Sequence, residues 1–545
     1  MALFLKTPLS SRILPMIVVL ILFLIESDRS LGFNLLGNRY RKHVAKRGGG
    51  GSSRGGSNEN FSSDSELSLK LDSETDNYLM TGTYINYAKW FSIGCPQKGG
   101  IGVLSGRGRL VFVSPRSRKD VFIEVKADNL AKTVQDLVIE GFNPTQPSLV
   151  YVPAWKESSE SSWLRRIRHR YASIFRPGKR IPTFNLIIYE YPEDTDDAYR
   201  RVVKKVPAIG KGVADLMNAL TESLGYSMDQ VHMIGFSLSA HIVGVAGRHL
   251  RAMGNPLGQI TVLDPSGPCF FGDSEFSKEN TISADAAKLV VARHYGFGIL
   301  GAQRSIGGVD IFVNGGKEQP LQIRRPHRYF VMWNSQGNHR ASAFHEALSV
   351  TNGSCFDVAY KCDSYESFLD GACANCDRPS DCYHIGTLIR GANRSPKVDY
   401  EPNTRMYLKA GGQNFCLHHY QLVVVLRPNA TRSTMAAFKA AKVKVDLGDV
   451  LDEAWPKRLS SCRGARAYTT LVTSQRQLSL RDVILYENEA QKYLGRYEVQ
   501  LVKLNYMSHP SKEVRDERSI TFCPSGPEIL STDSCRPADK NERCF

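Results

Sequence analysis

From about residue 85 to residue 400, short apolar runs alternate with stretches of helical periodicity. Leu137-Val138-Ile139 reads as a strand, and so does Phe184 to Tyr189. Ile209, Val213, Leu216, Met217, Leu220 and Leu224 recur at a spacing that puts them on one face of a helix. Val231 to Ile234, Ile260 to Leu263, Lys288 to Val291 and Val309 to Val313 follow as further strands. Alternation of this kind predicts a mostly parallel sheet with helices on both faces. Past about Thr404 the pattern changes. Met406 to Leu408, Tyr420 to Leu426, Lys442 to Val445 and Tyr497 to Leu504 are strand-like, and helical periodicity is scarce. This predicts an α/β domain over residues 79–402 and a separate β-sandwich over residues 403–545.

The first residues change the compartment rather than the fold. Lys6 and Arg12 precede an apolar run from Ile13 to Ile25, which Glu26, Ser27 and Asp28 end. Charge followed by a short apolar run is the order of a secretory signal peptide, expected over residues 1–31. Residues 32–78 read as a flexible segment, first basic, then rich in Gly and Ser, then polar. Secretion sets the reading of the twelve cysteines, which are expected to form disulfides. Cys362, Cys373, Cys376 and Cys382 cluster, and in this compartment disulfide pairing is preferred to zinc. Asn60, Asn352, Asn393 and Asn429 begin glycosylation sequons. The formal net charge of +16 favours anionic partners: membrane surfaces, acidic glycans or nucleic acid. No zinc-finger, RNA-binding or homeodomain signature is present, so no nucleic-acid partner is expected.

The chemistry centres on Gly235-Phe236-Ser237-Leu238-Ser239, which lies between a strand and a helical stretch that runs to about Leu250. Strand, tight turn and helix form the setting of a nucleophile elbow, in which the turn lifts the serine hydroxyl above the sheet edge. The helix N-terminus and the Leu238 amide then point at a developing oxyanion. The last letter departs from the motif: Ser239 stands where glycine is usual. A serine nucleophile needs a base held by a carboxylate. Asp264 ends the next strand, in Leu263-Asp264-Pro265, where open α/β sheets bind ligands; a turn cap is its other reading. Five downstream histidines qualify as the base: His294, His327, His339, His345 and His384.

Val231 to Arg248, VHMIGFSLSAHIVGVAGR, resembles the pancreatic lipase family. Leu263 to Phe270, Ser283 to Ala286, Val313 to Gly316 and Asn338-His339-Arg340 are similar to further landmarks of that family. The resemblance covers about residues 80 to 545. It implies an α/β-hydrolase domain followed by a PLAT-type, C2-like sandwich that contacts lipid. It implies a Ser237, Asp264, His339 triad with oxyanion donors at the backbone N–H groups of Phe142 and Leu238. It also implies pairing of Cys362 with Cys373 and Cys376 with Cys382, and disulfide-forming Cys523 and Cys544. The implied activity is hydrolysis of acyl esters in triglycerides or phospholipids by a secreted, extracellular enzyme acting at a lipid interface or lipoprotein surface. Binding to heparan-sulfate-like glycans is a further implication.

Several departures bear on this. Glu140 precedes Gly141-Phe142 where the family has histidine, and Gly337 stands near His339 where the family often has cysteine. The stretch from Lys317 to Gly337 is shorter than the family's lid, which leaves triglyceride and phospholipid as competing substrates. Glu275 and Asp285 match calcium-site residues, but the positions between them differ. Ester hydrolysis by a triad requires no cofactor, and calcium is not expected. Arg165, Arg166, Arg168, Arg170, Arg176, Lys179 and Arg180 interleave with Trp163, Ile167, Tyr171 and Phe175. A second cluster, Arg324, Arg325, His327 and Arg328, lies beside Tyr329, Phe330 and Trp333. Both read either as contacts for an anionic lipid surface or as solvated loops. The competing functional reading is a catalytically weak or inactive lipase-like protein that binds lipid or acidic glycan, because Phe236, Ser239 and Glu140 crowd the site.

Overall fold

The computed structural model describes residues between 94 and 535, apart from 174–183, 321–330, 352–356, 387–397 and some shorter stretches. All of these lie in the unit Thr75–Phe545. The expected signal peptide, the segment 32–78, Asn60, Asn352, Asn393, His327 and Cys544 fall outside the described residues.

An eleven-stranded sheet runs in the order β10-β9-β11-β8-β7-β6-β5-β3-β4-β1-β2. Its strands are β1 (Gly108–Val113), β2 (Asp120–Val125), β3 (Ser148–Val152), β4 (Asn185–Glu190), β5 (Val231–Phe236), β6 (Gln259–Leu263), β7 (Leu289–His294), β8 (Val309–Val313), β9 (Val358–Lys361), β10 (Cys382–His384) and β11 (Thr404–Leu408). From β4 to β11 through β3, β5, β6, β7 and β8, every pairing is parallel. These strands are apolar on both faces because both are covered. Every residue of β3, β4 and β8 is buried.

Alternate side chains enter two cores. On one face Phe112, Val150, Val152, Met233 and Val262 pack under the helices Tyr199–Leu224 and Ser239–Ala252. On the other, Val111, Tyr151, Ile234 and Phe236 pack against the helices Ser162–Ala172 and Val331–Thr351 through Trp163, Leu164, Ile167, Ala343 and Ala347. The helix Tyr199–Leu224 stops at Gly225, whose φ of 63° costs a side chain-free residue little.

The β part is a nine-stranded antiparallel sheet, eight strands in one path and the ninth paired to its side. It contains β12 (His418–Leu426), β13 (Val443–Asp446), β14 (Arg458–Cys462), β15 (Ala465–Ser474), β16 (Asp482–Glu487), β17 (Lys492–Tyr493), β18 (Val499–Tyr506), β19 (Ile520–Pro524) and β20 (Ile529–Ser531). β19 pairs with both β18 and β20 and so turns the corner between two layers. Leu422, Val424 and Leu504 of one layer share a core with Val445, Val483 and Leu485 of the other.

Two expectations change, and the disulfides gain their partners. Leu137-Val138-Ile139 is the end of a helix, Leu130–Ile139, not a strand. Asn129 caps it by accepting from the Lys132 N–H at 3.2 Å, and Thr133, Val134 and Leu137 form its buried stripe. Thr404–Leu408 belongs to the large sheet, beside β8, rather than to the sandwich, so the 402/403 boundary falls inside the first sheet's sequence. The Cys362–Cys373 and Cys376–Cys382 bridges form, and Cys523, expected in a disulfide without a named partner, pairs with Cys535. Cys95, far upstream, is bridged to Cys269.

Candidate active site

β5 ends at Phe236, and Ser237 takes a left-handed φ of 57° before the helix begins at Ser239. The turn is tight enough that a Cβ on Gly235 would lie 2.5 Å from the Ser239 carbonyl oxygen. That explains the glycine at this end of the motif. Ser239 is fully buried. Its hydroxyl lies 2.7 Å from the carbonyl of Val152, at the end of β3, and 2.8 Å from that of Phe236. It also accepts the Phe236 N–H at 3.1 Å. Ser239 therefore ties the elbow to the neighbouring strand instead of crowding it. The Ser237 N–H donates to Leu263 O at 3.0 Å, which anchors the turn to β6.

Asp264 follows β6 directly and is fully buried. Its Oδ1 accepts the N–H groups of Tyr295 at 2.8 Å and Gly296 at 2.9 Å. Its Oδ2 accepts from His339 Nδ1 at 2.6 Å. That bond fixes the tautomer with a bare Nε2, which faces Ser237 Oγ at 2.7 Å. His339 sits on the helix Val331–Thr351, and its ring lies 5.0 Å from that of Phe236. Asn338 pins this part of the helix by accepting from the Gln319 N–H and donating to Lys317 O, each at 2.9 Å. A buried ion pair lies two turns further along the same helix. Arg293 Nη1 meets Glu346 Oε2 at 2.6 Å, and the Tyr151 hydroxyl donates to Glu346 Oε1 at 2.8 Å. The described alternatives to His339 are engaged elsewhere: His294 with Asp310, His345 with Tyr295 and Asp357, and His384 beside Cys382.

Leu238 is the cap residue of the helix that follows Ser237. Phe142 is a correction. Its N–H donates to Leu137 O at 2.9 Å and is therefore spent. The residue precedes β3, at the opposite end of the parallel strands, and packs its ring on Tyr226 at 5.3 Å. The backbone beside the elbow is instead the loop after β3, because Val152 pairs with Gly235. That loop is Pro153-Ala154-Trp155. The Trp155 side chain is pinned by its Nε1 donating to Asp197 O at 2.8 Å and by an edge contact with Tyr199. Among the described residues, the N–H groups of Leu238 and Trp155 have no acceptor. Glu140 caps a distant helix, so it does not disturb the oxyanion site.

The first basic cluster separates into two kinds of residue. Trp163, Ile167 and Tyr171 are core residues, and Arg168 is buried between Asp120, Glu160 and the Ser159 carbonyl. The calcium-site residues do not fit an ion. Arg248 already donates to Glu279 O at 2.7 Å, Thr281 O at 3.0 Å and Ser283 Oγ at 3.3 Å, and Asp285 accepts from Ser283. The cluster of Cys376, Cys382 and His384 has both sulfurs in one disulfide.

A serine, an imidazole and a buried carboxylate meet at the carboxyl ends of parallel strands on an α/β-hydrolase scaffold, the arrangement that serine-nucleophile chemistry requires. The sequence matches the family described as Lipase over residues 124–415, and the chain belongs to that family. Human Phospholipase A1 member A is 29% identical over 293 residues, 53% of this chain and 60% of that protein. Human Hepatic triacylglycerol lipase is 27% identical over 330 residues, 56% of this chain and 63% of that protein. The chain thus spans about 60% of the length of these curated relatives. Among solved structures, an arylesterase overlaps at 11% identity with a TM-score of 0.19, over 39% of this chain and 72% of that one.

Proposed function

We propose that this protein is a secreted lipid esterase that hydrolyses acyl ester bonds of triglycerides or phospholipids through Ser237, Asp264 and His339. The observation that carries the reading is the unbroken relay from Ser237 Oγ to His339 Nε2 at 2.7 Å and from His339 Nδ1 to Asp264 Oδ2 at 2.6 Å. His339 takes the Ser237 proton as Oγ attacks the ester carbonyl. Asp264, dry and held by two backbone amides, keeps the imidazole oriented and stabilises its cation. The Leu238 and Trp155 N–H groups receive the oxyanion, an interaction worth roughly 3–4 kcal/mol per donor in such sites. His339 returns its proton to the leaving alcohol, and water then cleaves the acyl-enzyme by the same steps in reverse order.

Lipid contact through a PLAT-type sandwich, a lipoprotein-surface substrate, glycan binding and extracellular localisation belong to the same proposal. Supporting it are the β-sandwich core, the disulfides, and the exposed turn that carries Asn429. No helix among the described residues is long and apolar enough to cross a membrane. The test is turnover of the purified protein on triglyceride emulsion and on phospholipid vesicles. Fatty-acid release from at least one, abolished by Ser237→Ala, is expected. Folded wild-type protein releasing no more than Ser237→Ala from both would overturn the reading.

A further inference from the structure

Glu157 lies just beyond the Trp155 loop, and its carboxylate is one the triad chemistry does not use. Lys156 before it adopts a left-handed φ of 58° and donates its N–H to Thr195 Oγ1 at 2.7 Å. The Glu157 N–H donates to Ala154 O at 3.0 Å. The turn that presents the side chain is thereby fixed. Glu157 Oε2 accepts from Trp163 Nε1 at 3.1 Å. Trp163 stacks edge-on to Phe236 at 6.1 Å, and Phe236 contacts the His339 ring at 5.0 Å.

Glu157 is half-buried, and among the described residues no cation forms an ion pair with it. Burial holds its carboxyl above the usual range, and the Trp163 N–H, Arg340, the Ala154 amide and His339 offset that only in part. An amide at this position would satisfy the Trp163 N–H equally well, so the hydrogen bond does not account for the charge. Two exposed cations stand nearby: Arg340, which follows His339 in the chain and whose charge acts on Glu157, and Lys156, whose amine lies 5.4 Å over the Trp155 ring. Left alone, they would draw anionic groups into the site.

We infer that Glu157 is a specificity-determining residue that offsets these cations and makes the site select esters with uncharged or zwitterionic polar groups over esters carrying net negative charge. The inference rests on the lipid-esterase reading. It also separates two effects of charge. The chain's net charge of +16 attracts anionic surfaces, whereas Glu157 acts on the single molecule entering the site.

The test uses the purified, folded protein and short-chain lipids below their micelle concentration, which removes surface binding from the measurement. The quantity read is the ratio of kcat/KM for dihexanoylphosphatidic acid to that for dihexanoylphosphatidylcholine. Glu157→Gln is expected to raise this ratio about tenfold, the scale of removing one unit charge from a partly screened site. Glu157→Asp is expected to bring it back toward the wild-type value. A ratio that moves less than twofold in a folded Glu157→Gln overturns the proposal. The labelling rates of Ser237 by a neutral and a carboxylate-tailed fluorophosphonate provide the same ratio without turnover. A folded wild-type protein that neither hydrolyses nor labels overturns the esterase reading, and this one with it.

Discussion

Replacing Ser239 by alanine tests whether the departure from the usual motif is a defect or a device. The hydroxyl has one proton, so it donates to one of Val152 O and Phe236 O while accepting from the Phe236 N–H. The site is fully buried, and water cannot take over these bonds. Alanine leaves the Phe236 N–H and a carbonyl without their partner, at a cost of about 1–3 kcal/mol. The link also joins the strand end leading to Trp155 to the strand leading to Ser237, so its loss loosens one oxyanion donor relative to the nucleophile. Urea denaturation is expected to show the stability loss. Kinetics on a soluble ester are expected to show kcat reduced about three- to tenfold at nearly constant KM, as for an interaction felt in the transition state. Ser239→Ala with wild-type stability and kcat would refute this account and reduce Ser239 to a small space-filler.

Other perturbations follow from the same geometry. Asp264→Asn keeps an acceptor for the Tyr295 and Gly296 amides but loses the charge facing His339, and kcat is expected to fall on the order of 10³–10⁴-fold with the fold intact; a loss under tenfold contradicts the assigned role. Glu346→Ala strands the buried Arg293 guanidinium and is expected to cost about 3–5 kcal/mol in denaturant titrations, against a change below 1 kcal/mol if the pair is dispensable. His241, stacked on Phe270 and bonded to Ser266 O, has its pKa pushed down to about 3 by burial. The unfolded chain protonates this histidine below about pH 6.5 and the folded chain does not, so its contribution to stability is present above that pH and is lost as pH falls toward 3. His241→Gln is expected to flatten the stability–pH slope between pH 6 and 4 by up to about 1.4 kcal/mol per unit, and an unchanged slope refutes the assignment.

What was legible in the sequence was local. The elbow is a strand, Val231–Phe236, a two-residue turn and a helix, Ser239–Ala252, in one unbroken run, and Asp264 announces itself at the end of a strand before Pro265. The misread elements depend on partners far along the chain. Leu137-Val138-Ile139 looks extended because its residues are apolar and mostly β-branched, but the Asn129 cap and the buried stripe make it helical. Thr404–Leu408 joins the large sheet by pairing with a strand almost a hundred residues earlier. The oxyanion role proposed for Trp155 depends on β3 lying beside β5, an adjacency no local pattern contains. The fully apolar run Leu149 to Val152 was nonetheless a usable strand signal just ahead of it. In the basic cluster, Trp163, Ile167 and Tyr171 stand four residues apart, the spacing of a buried helical face rather than of a membrane contact.

The central claim is that Ser237 is a nucleophile activated through His339 and Asp264. Its most direct test is site-resolved labelling of the folded, purified protein with a fluorophosphonate, read by peptide mass spectrometry. The geometry predicts an adduct on the peptide containing Ser237, absent in Ser237→Ala and strongly slowed in His339→Ala and Asp264→Asn. A folded wild-type protein that stays unlabelled, or an adduct that persists on another residue in Ser237→Ala at the wild-type rate, would contradict it.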